Sequence, residues 1–313
     1  MTRDLGPLLA ARLLRRPLLI DPFEAQLMLA GMVAEGLLPP LLWNEGAGAR
    51  FLPAARPAPE AGPGVGHAGR DRDGGESELY RLDRETGIAT IPIEGPLSHK
   101  RGMITWRLAQ IGYDAIAVQL RAAVADPAVK GILLDEHSPG GAGAGLFDLV
   151  ALIHELRDAK PIWAVAYDDA LSAAYAIASA ANVLVGTRSS STGSVGAWFL
   201  HVDCSGMLEQ EGIVATPVFA GARKVDGHPY AKLPAEVRAR WEVELEDTRE
   251  VFIDWVARGR AVSAEAVRNT EGQSLLAPEA LDLGLIDEIA TFDETYQEFA
   301  RQLAKAPAMI AVG

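Results

Sequence analysis

The chain has 313 residues, enough for one large domain or two ordinary ones, and its 49% hydrophobic and 23% charged content is that of a folded globular protein. A formal net charge of −13 argues against a nucleic-acid binder, which needs clustered Lys and Arg to neutralise phosphates. A single cysteine, Cys204, excludes an intrachain disulfide, and the six scattered histidines form no HxxxH or His/Cys pair, so neither a metal nor another cofactor is expected.

At the N-terminus, Leu8, Leu9, Leu13, Leu14, Leu18, Leu19 and Ile20 are interrupted by Arg12, Arg15, Arg16 and Asp21, well short of the ~20 apolar residues of a membrane span. No uninterrupted apolar core precedes a small-residue cleavage site, so a signal peptide is not read and the expected location is the cytoplasm. Residues 1–44 are expected to hold two short helices, the second opening at Asp21-Pro22, where Asp caps free amides and Pro suits the first turn. Residues 45–80 are rich in Gly, Pro and Ala, with too few large apolar side chains to offset the entropy of ordering, and read as a linker.

From residue 81 to 305 apolar runs alternate with helical periodicity, and 306–313 reads as a tail. A strand at Ile88–Ile93 precedes a helix at Tyr113–Ala125, a strand at Gly131–Asp135, a helix at Leu146–Ala159 and a strand at Ile162–Tyr167. A small-residue helix then begins near Ser172, and a further strand covers Val183–Gly186. Strands separated by helices of this length predict an α/β fold, with a mainly parallel sheet and helices on its faces. Trp198–Val202 and Ala215–Phe219 are expected to continue the sheet. A long amphipathic helix follows Pro234 to about Gly259, then a shorter helix and a strand at 284–289. The late acidic residues, from Glu236 to Glu298, read as solvated helix faces.

Functional groups in open α/β sheets gather at the carboxyl ends of strands, and three such junctions carry unusual residues. Ser138-Pro139-Gly140-Gly141 leaves backbone amides unshielded, an oxyanion-stabilising device or simply a tight turn. Ser172, in Asp168-Asp169-Ala170-Leu171-Ser172-Ala173-Ala174-Tyr175, stands where a helix begins among small residues, either a nucleophile or an ordinary N-cap. Thr192-Gly193-Ser194-Val195-Gly196 is followed by Gly221-Ala222-Arg223-Lys224-Val225-Asp226-Gly227, whose lysine alone would read as a solvated surface residue.

Taken together and in this order, these segments resemble the signal peptide peptidase A family of Ser-Lys serine proteases, especially its phage head-maturation branch. The resemblance covers Gly87 to Ile289 and rests on SPGG at 138–141, SAAYAIASAAN at 172–182, TGSVG at 192–196, GARKVDGHPY at 221–230 and ALDLGLIDEI at 280–289. It implies a Clp protease/crotonase-like fold of repeated ββα units, with Ser172 as nucleophile and Lys224 as general base. It also makes Ser194 a helper that hydrogen-bonds the lysine, and gives the oxyanion hole to the amides of Gly141 and Ser172. The S-A-A-Y segment departs from the common S-G-G-Y, which bears on subsite shape rather than on the nucleophile. A homo-oligomer and a protein or peptide substrate, a scaffold or capsid precursor, are implied as partners, in the host cytoplasm or the assembling prohead.

The chemistry sets a condition. A lysine takes the proton of a serine only if its pKa falls from ~10.4 toward neutrality, and burial supplies that shift, so Lys224 is expected to be mostly buried in the assembled oligomer. A cytoplasmic signal-peptide-peptidase-like protease of general peptide turnover is an alternative to the capsid role, and three further alternatives stand beside the Ser-Lys reading. One is a Ser-His-Asp triad, for which His201 is the nearest histidine after Ser172. Another is a crotonase-like acyl-CoA enzyme using Glu136, Asp168 or Asp169, and the third is a shell or scaffold-associated protein that has lost catalysis.

Overall fold

The structure is a computed structural model that describes residues 18–20, 79–100 and 111–305. In chain order the elements are β1 (Leu18–Ile20), β2 (Arg81–Asp83), β3 (Ile88–Glu94), β4 (Leu97–Ser98), β5 (Ile111–Gly112), α1 (Tyr113–Ala125), β6 (Gly131–Ser138), β7 (Gly140–Ala142) and α2 (Leu146–Leu156). They continue with β8 (Ile162–Leu171), α3 (Ala173–Ser179), β9 (Val183–Gly186), β10 (Ser191–Gly193), α4 (Ser205–Gln210), α5 (Ala235–Arg260), α6 (Ala264–Arg268), β11 (Ser274–Leu276), α7 (Ala277–Asp282), β12 (Glu288–Ile289) and α8 (Phe292–Lys305). The described chain forms two compact units, one of residues 18 and 197–248, the other of 19–20, 79–100, 111–196 and 249–305.

In the larger unit the main sheet runs β11-β10-β8-β6-β3-β2. The β3, β6, β8 and β10 pairings are parallel, and the edge strands β2 and β11 are antiparallel. Ile132, Leu133 and Leu134 of β6 are all buried, the mark of a central strand covered on both faces. On one face Ile88, Leu133, Trp163 and Val165 pack against Phe299 and Leu303 of α8, with Trp163 and Phe299 stacked at 4.7 Å. The other face receives α1 and α3, packed on β3 and β8. Strand β8 is the pivot: Trp163–Ala166 pair with β9, whereas Asp169–Leu171 pair with β10. The two-way pairing is accompanied by a register shift against β6 between Glu136 and Ser138. A second, four-stranded sheet has the order β1-β7-β4-β5.

The smaller unit has little regular structure besides α4 and the first part of α5. Phe199 lies 5.1 Å from Trp241, Arg240 pairs with Asp226, and the Cys204 amide donates to the Pro229 carbonyl at 2.7 Å.

Several expectations are met closely: Tyr113–Ala125 and Val183–Gly186 have the expected bounds, and a mixed α/β fold with a mostly parallel sheet is present. Others are corrected. Trp198–Val202 and Ala215–Phe219 form no strand; Val214 and Val218, at 89% and 95% exposed, show that this apolar run has no sheet to bury it. The strand expected at 284–289 shrinks to Glu288–Ile289, because Gly284, at φ 71°, closes the C-terminus of α7. Residues 18–20 form strand β1 rather than helix, their backbone supplied with a partner in β7. The rest of the expected N-terminal helices, nearly all of the 45–80 linker and the 306–313 tail lie outside the described residues.

Candidate active site

Ser172 stands at the corner between β8 and α3, with φ 52° and ψ −116°. An ordinary N-cap serine has extended backbone angles and accepts a hydrogen bond from the first turn; Ser172 does neither. A non-glycine residue at positive φ costs on the order of 1–3 kcal/mol and persists only where its surroundings over-determine it. Here they do. The Ser172 amide donates to the Gly193 carbonyl at 2.8 Å, its carbonyl accepts from Ala176, and every residue of α3 is buried. The Tyr175 hydroxyl pins the helix to the Leu285 carbonyl at 2.8 Å.

The Ser138–Gly141 turn is brought against this corner. Ser138 Oγ donates to the Gly95 carbonyl at 2.7 Å and accepts from the Gly140 amide at 3.2 Å, which locks the turn from inside. Gly140 has φ 100°, and a Cβ there would lie 2.9 Å from the Leu171 carbonyl oxygen and 3.0 Å from the Ala173 amide nitrogen, the two residues that flank Ser172. Gly141 pairs with Leu97 of β4, and a Cβ on it would lie 2.0 Å from the Leu97 carbonyl oxygen. Both glycines are therefore required by close backbone approach. At the far end of β7 the Tyr113 hydroxyl holds the Ala142 carbonyl at 2.7 Å.

Ser194 follows directly on β10. Because Gly193 is in register with Leu171, Ser194 and Ser172 leave the ends of adjacent strands side by side. Ser194 is also at positive φ, 55°, buried, and tied through its amide to the Gln273 carbonyl at 2.9 Å. Gly141, Ser172 and Ser194 thus come together in the larger unit. Lys224 belongs to the smaller unit, exposed in the 221–227 turn, where its amide donates to the Gly221 carbonyl at 3.0 Å. His201 is half-buried in the same smaller unit, its Nε2 3.2 Å from the His228 carbonyl and its ring beside Trp241.

One expected role is corrected. The Ser172 amide is engaged by Gly193 and is not available to an oxyanion. The amide that follows Ser172, that of Ala173, opens α3, where the first turn has no partner within the helix. The sequence held this information only indirectly, since a serine on a strand-to-helix corner turns the next amide toward the reacting centre.

Three acidic residues surround the junctions. Asp168 pairs with His137 Nδ1 at 3.3 Å in solvent. Asp135 titrates above the usual carboxylate range through burial and the nearby Glu94. Glu136 is wholly buried in β6 between Ile93 and Ala166, with no hydrogen-bond partner for either carboxylate oxygen. Burial, and to a lesser degree the charge of Asp135, raise its pKa well above the ordinary value of 4.5. Among the described residues no cluster of three or more His, Cys, Asp or Glu could hold a metal ion, and no helix is long and apolar enough to cross a membrane.

Residues 154–306 match peptidase family S49. Head-tail preconnector protein GP5 of Enterobacteria phage P21 is 33% identical over 97% of the chain and 58% of its own length. Capsid assembly protease C of Escherichia phage lambda is 33% identical over 92% of the chain and 64% of its own length. A putative signal peptide peptidase SppA of Enterococcus faecium is 26% identical over 73% and 68%. The chain therefore spans about three fifths of the length of the two phage proteins.

Proposed function

Because the chain belongs to peptidase family S49, we propose that it is a serine endopeptidase that cuts proteins through a Ser-Lys dyad and an acyl-enzyme. The observation that carries this reading is the Ser172 corner: a strained, non-capping serine held against a double-glycine backbone at the carboxyl end of a parallel sheet. Ser172 Oγ attacks the scissile carbonyl and its proton passes to the neutral amine of Lys224, which then protonates the leaving amine. Water releases the acyl group by the same route. The amides of Gly141 and Ala173 receive the oxyanion, and Ser194 orients the lysine.

The alternation β3-β4-β5-α1 and β6-β7-α2, in which a strand of the main sheet is followed by strands of the second sheet and a helix, supports a repeated ββα spiral of the Clp/crotonase type. The phage relatives, a head-tail preconnector protein and a capsid assembly protease, favour capsid maturation, with a scaffold or capsid precursor as substrate. The site of action would be the host cytoplasm or the assembling prohead, in a homo-oligomer that buries Lys224 and keeps water from its amine. Fluorophosphonate labelling tests the reading. Wild-type protein should label stoichiometrically and Ser172→Ala not at all; labelling that survives this change, or no labelling in any oligomeric state, would overturn it.

A further inference from the structure

Strand β7 carries the glycines beside Ser172, and its outer edge is taken by a piece of the chain itself. In the second sheet β7 has β4 on one side and β1, residues Leu18–Ile20, on the other. An open strand edge offers unpaired amides and carbonyls, and an extended peptide of any sequence can add to it.

The position of Leu19 is specific. A Cβ built on Gly140 would lie 2.2 Å from the Leu19 carbonyl oxygen and 3.0 Å from the Ala173 amide nitrogen. The Leu19 carbonyl and the amide after the nucleophile thus converge on one face of Gly140, beside Ser172. The Leu19 side chain is fully buried, 0% exposed, so the residue is seated as well as backbone-paired. A carbonyl over Gly140, with the side chain of the same residue buried, suits the residue before a scissile bond.

We infer that Leu18–Ile20 is the chain's own first substrate: it occupies the peptide-docking edge of β7, and Ser172 cuts the Leu19–Ile20 bond. The inference rests on the peptidase reading above. In the reaction Ser172 Oγ bonds to the Leu19 carbonyl carbon and gives its proton to Lys224. The bond to the Ile20 nitrogen breaks, and that nitrogen leaves as an amine carrying the lysine's proton. One water then hydrolyses the ester, returning the serine hydroxyl and leaving Leu19 as a carboxylate. Until that cut the edge is closed to other peptides, so the segment also delays attack on foreign substrates.

Intact mass and N-terminal sequencing of the full chain test this. Wild-type protein should yield a species beginning at Ile20, and Ser172→Ala should keep the Leu19–Ile20 bond. A wild-type protein that labels with fluorophosphonate and hydrolyses a peptide reporter, yet keeps that bond or cuts only elsewhere, would overturn the inference and leave the peptidase reading standing. Absence of both labelling and hydrolysis would remove both. Leu19→Asp provides a second measure, since a carboxylate cannot take the buried seat. Its initial labelling rate should rise about tenfold over uncut wild type, as the competent fraction rises; an unchanged rate would show that the segment does not block the site.

Discussion

The unit that carries Ser172 and the unit that carries Lys224 are built on different terms. Around Ser172 the backbone is fixed from several sides, by Gly193, by a wholly buried helix and by two glycines that admit no Cβ. Around Lys224 the chain is turn and coil, with Phe219 and Val218 exposed nearby in sequence and the lysine itself in solvent. The proposed nucleophile needs geometry, and a single chain supplies it. A lysine base needs dryness, and the proposed mechanism obtains that from assembly.

The largest effects should come from removing either half. Ser172→Ala should lower kcat/KM by at least ~10⁴-fold with little change in fold, because the corner is held by backbone bonds rather than by the hydroxyl. Lys224→Met should cost nearly as much. Specific activity of wild-type protein should fall on dilution as the oligomer dissociates, measured by peptide hydrolysis alongside sedimentation. Activity per subunit independent of concentration, in a sample shown to be monomeric, would break the contrast between the units.

A middle-sized effect belongs to the double glycine. Gly141→Ala places a Cβ 2.0 Å from a backbone oxygen of β4 and should lower turnover by roughly 10²–10³, with ~1–3 kcal/mol lost from stability. Thermal melting and kinetics on the same sample separate the two losses.

Much of the larger unit was legible in the sequence because its strands are continuous apolar runs between helical periods, and Tyr113–Ala125 needs no tertiary information. Short elements were not: β10 and β11 have three residues each, too few for a period to show, and exist through pairing with each other and with β8. The apolar run at 215–219 misled for the opposite reason, since hydrophobicity predicts burial only where a partner surface is present. At the site, residue types and order pointed to Ser172, Ser194 and Gly141, but which amide faces the reacting centre depends on the register of β8 and β10.

Glu136 allows a finer test of how tightly the larger unit is held. Its folded pKa is raised, so the proton it binds stabilises the fold fully below the unfolded value of about 4.5. As pH rises from there toward the folded pKa, that contribution is lost, by about a factor of ten in the folding equilibrium per pH unit. Denaturant melts should show Glu136→Leu gaining on wild type from mildly acid to neutral pH, with the gap between the two becoming constant below about pH 4.5. A gap that does not change with pH would mean the carboxyl is hydrated or paired.

The smallest effect is expected at His201, and it guards the choice of base. A carbonyl can only accept, so the contact of Nε2 with the His228 carbonyl at 3.2 Å makes that nitrogen the protonated one. The Nε2 nitrogen therefore cannot take a proton from a serine and only Nδ1 is left as an acceptor, in a ring already fixed by the His228 carbonyl and beside Trp241. His201→Ala should therefore lose about 1 kcal/mol of stability with the hydrogen bond and leave kcat/KM within roughly threefold. A loss of several orders of magnitude in folded protein would move the base from the lysine to the histidine; the smaller unit would still supply it, but the need for a dry amine, and with it the dependence on assembly, would disappear.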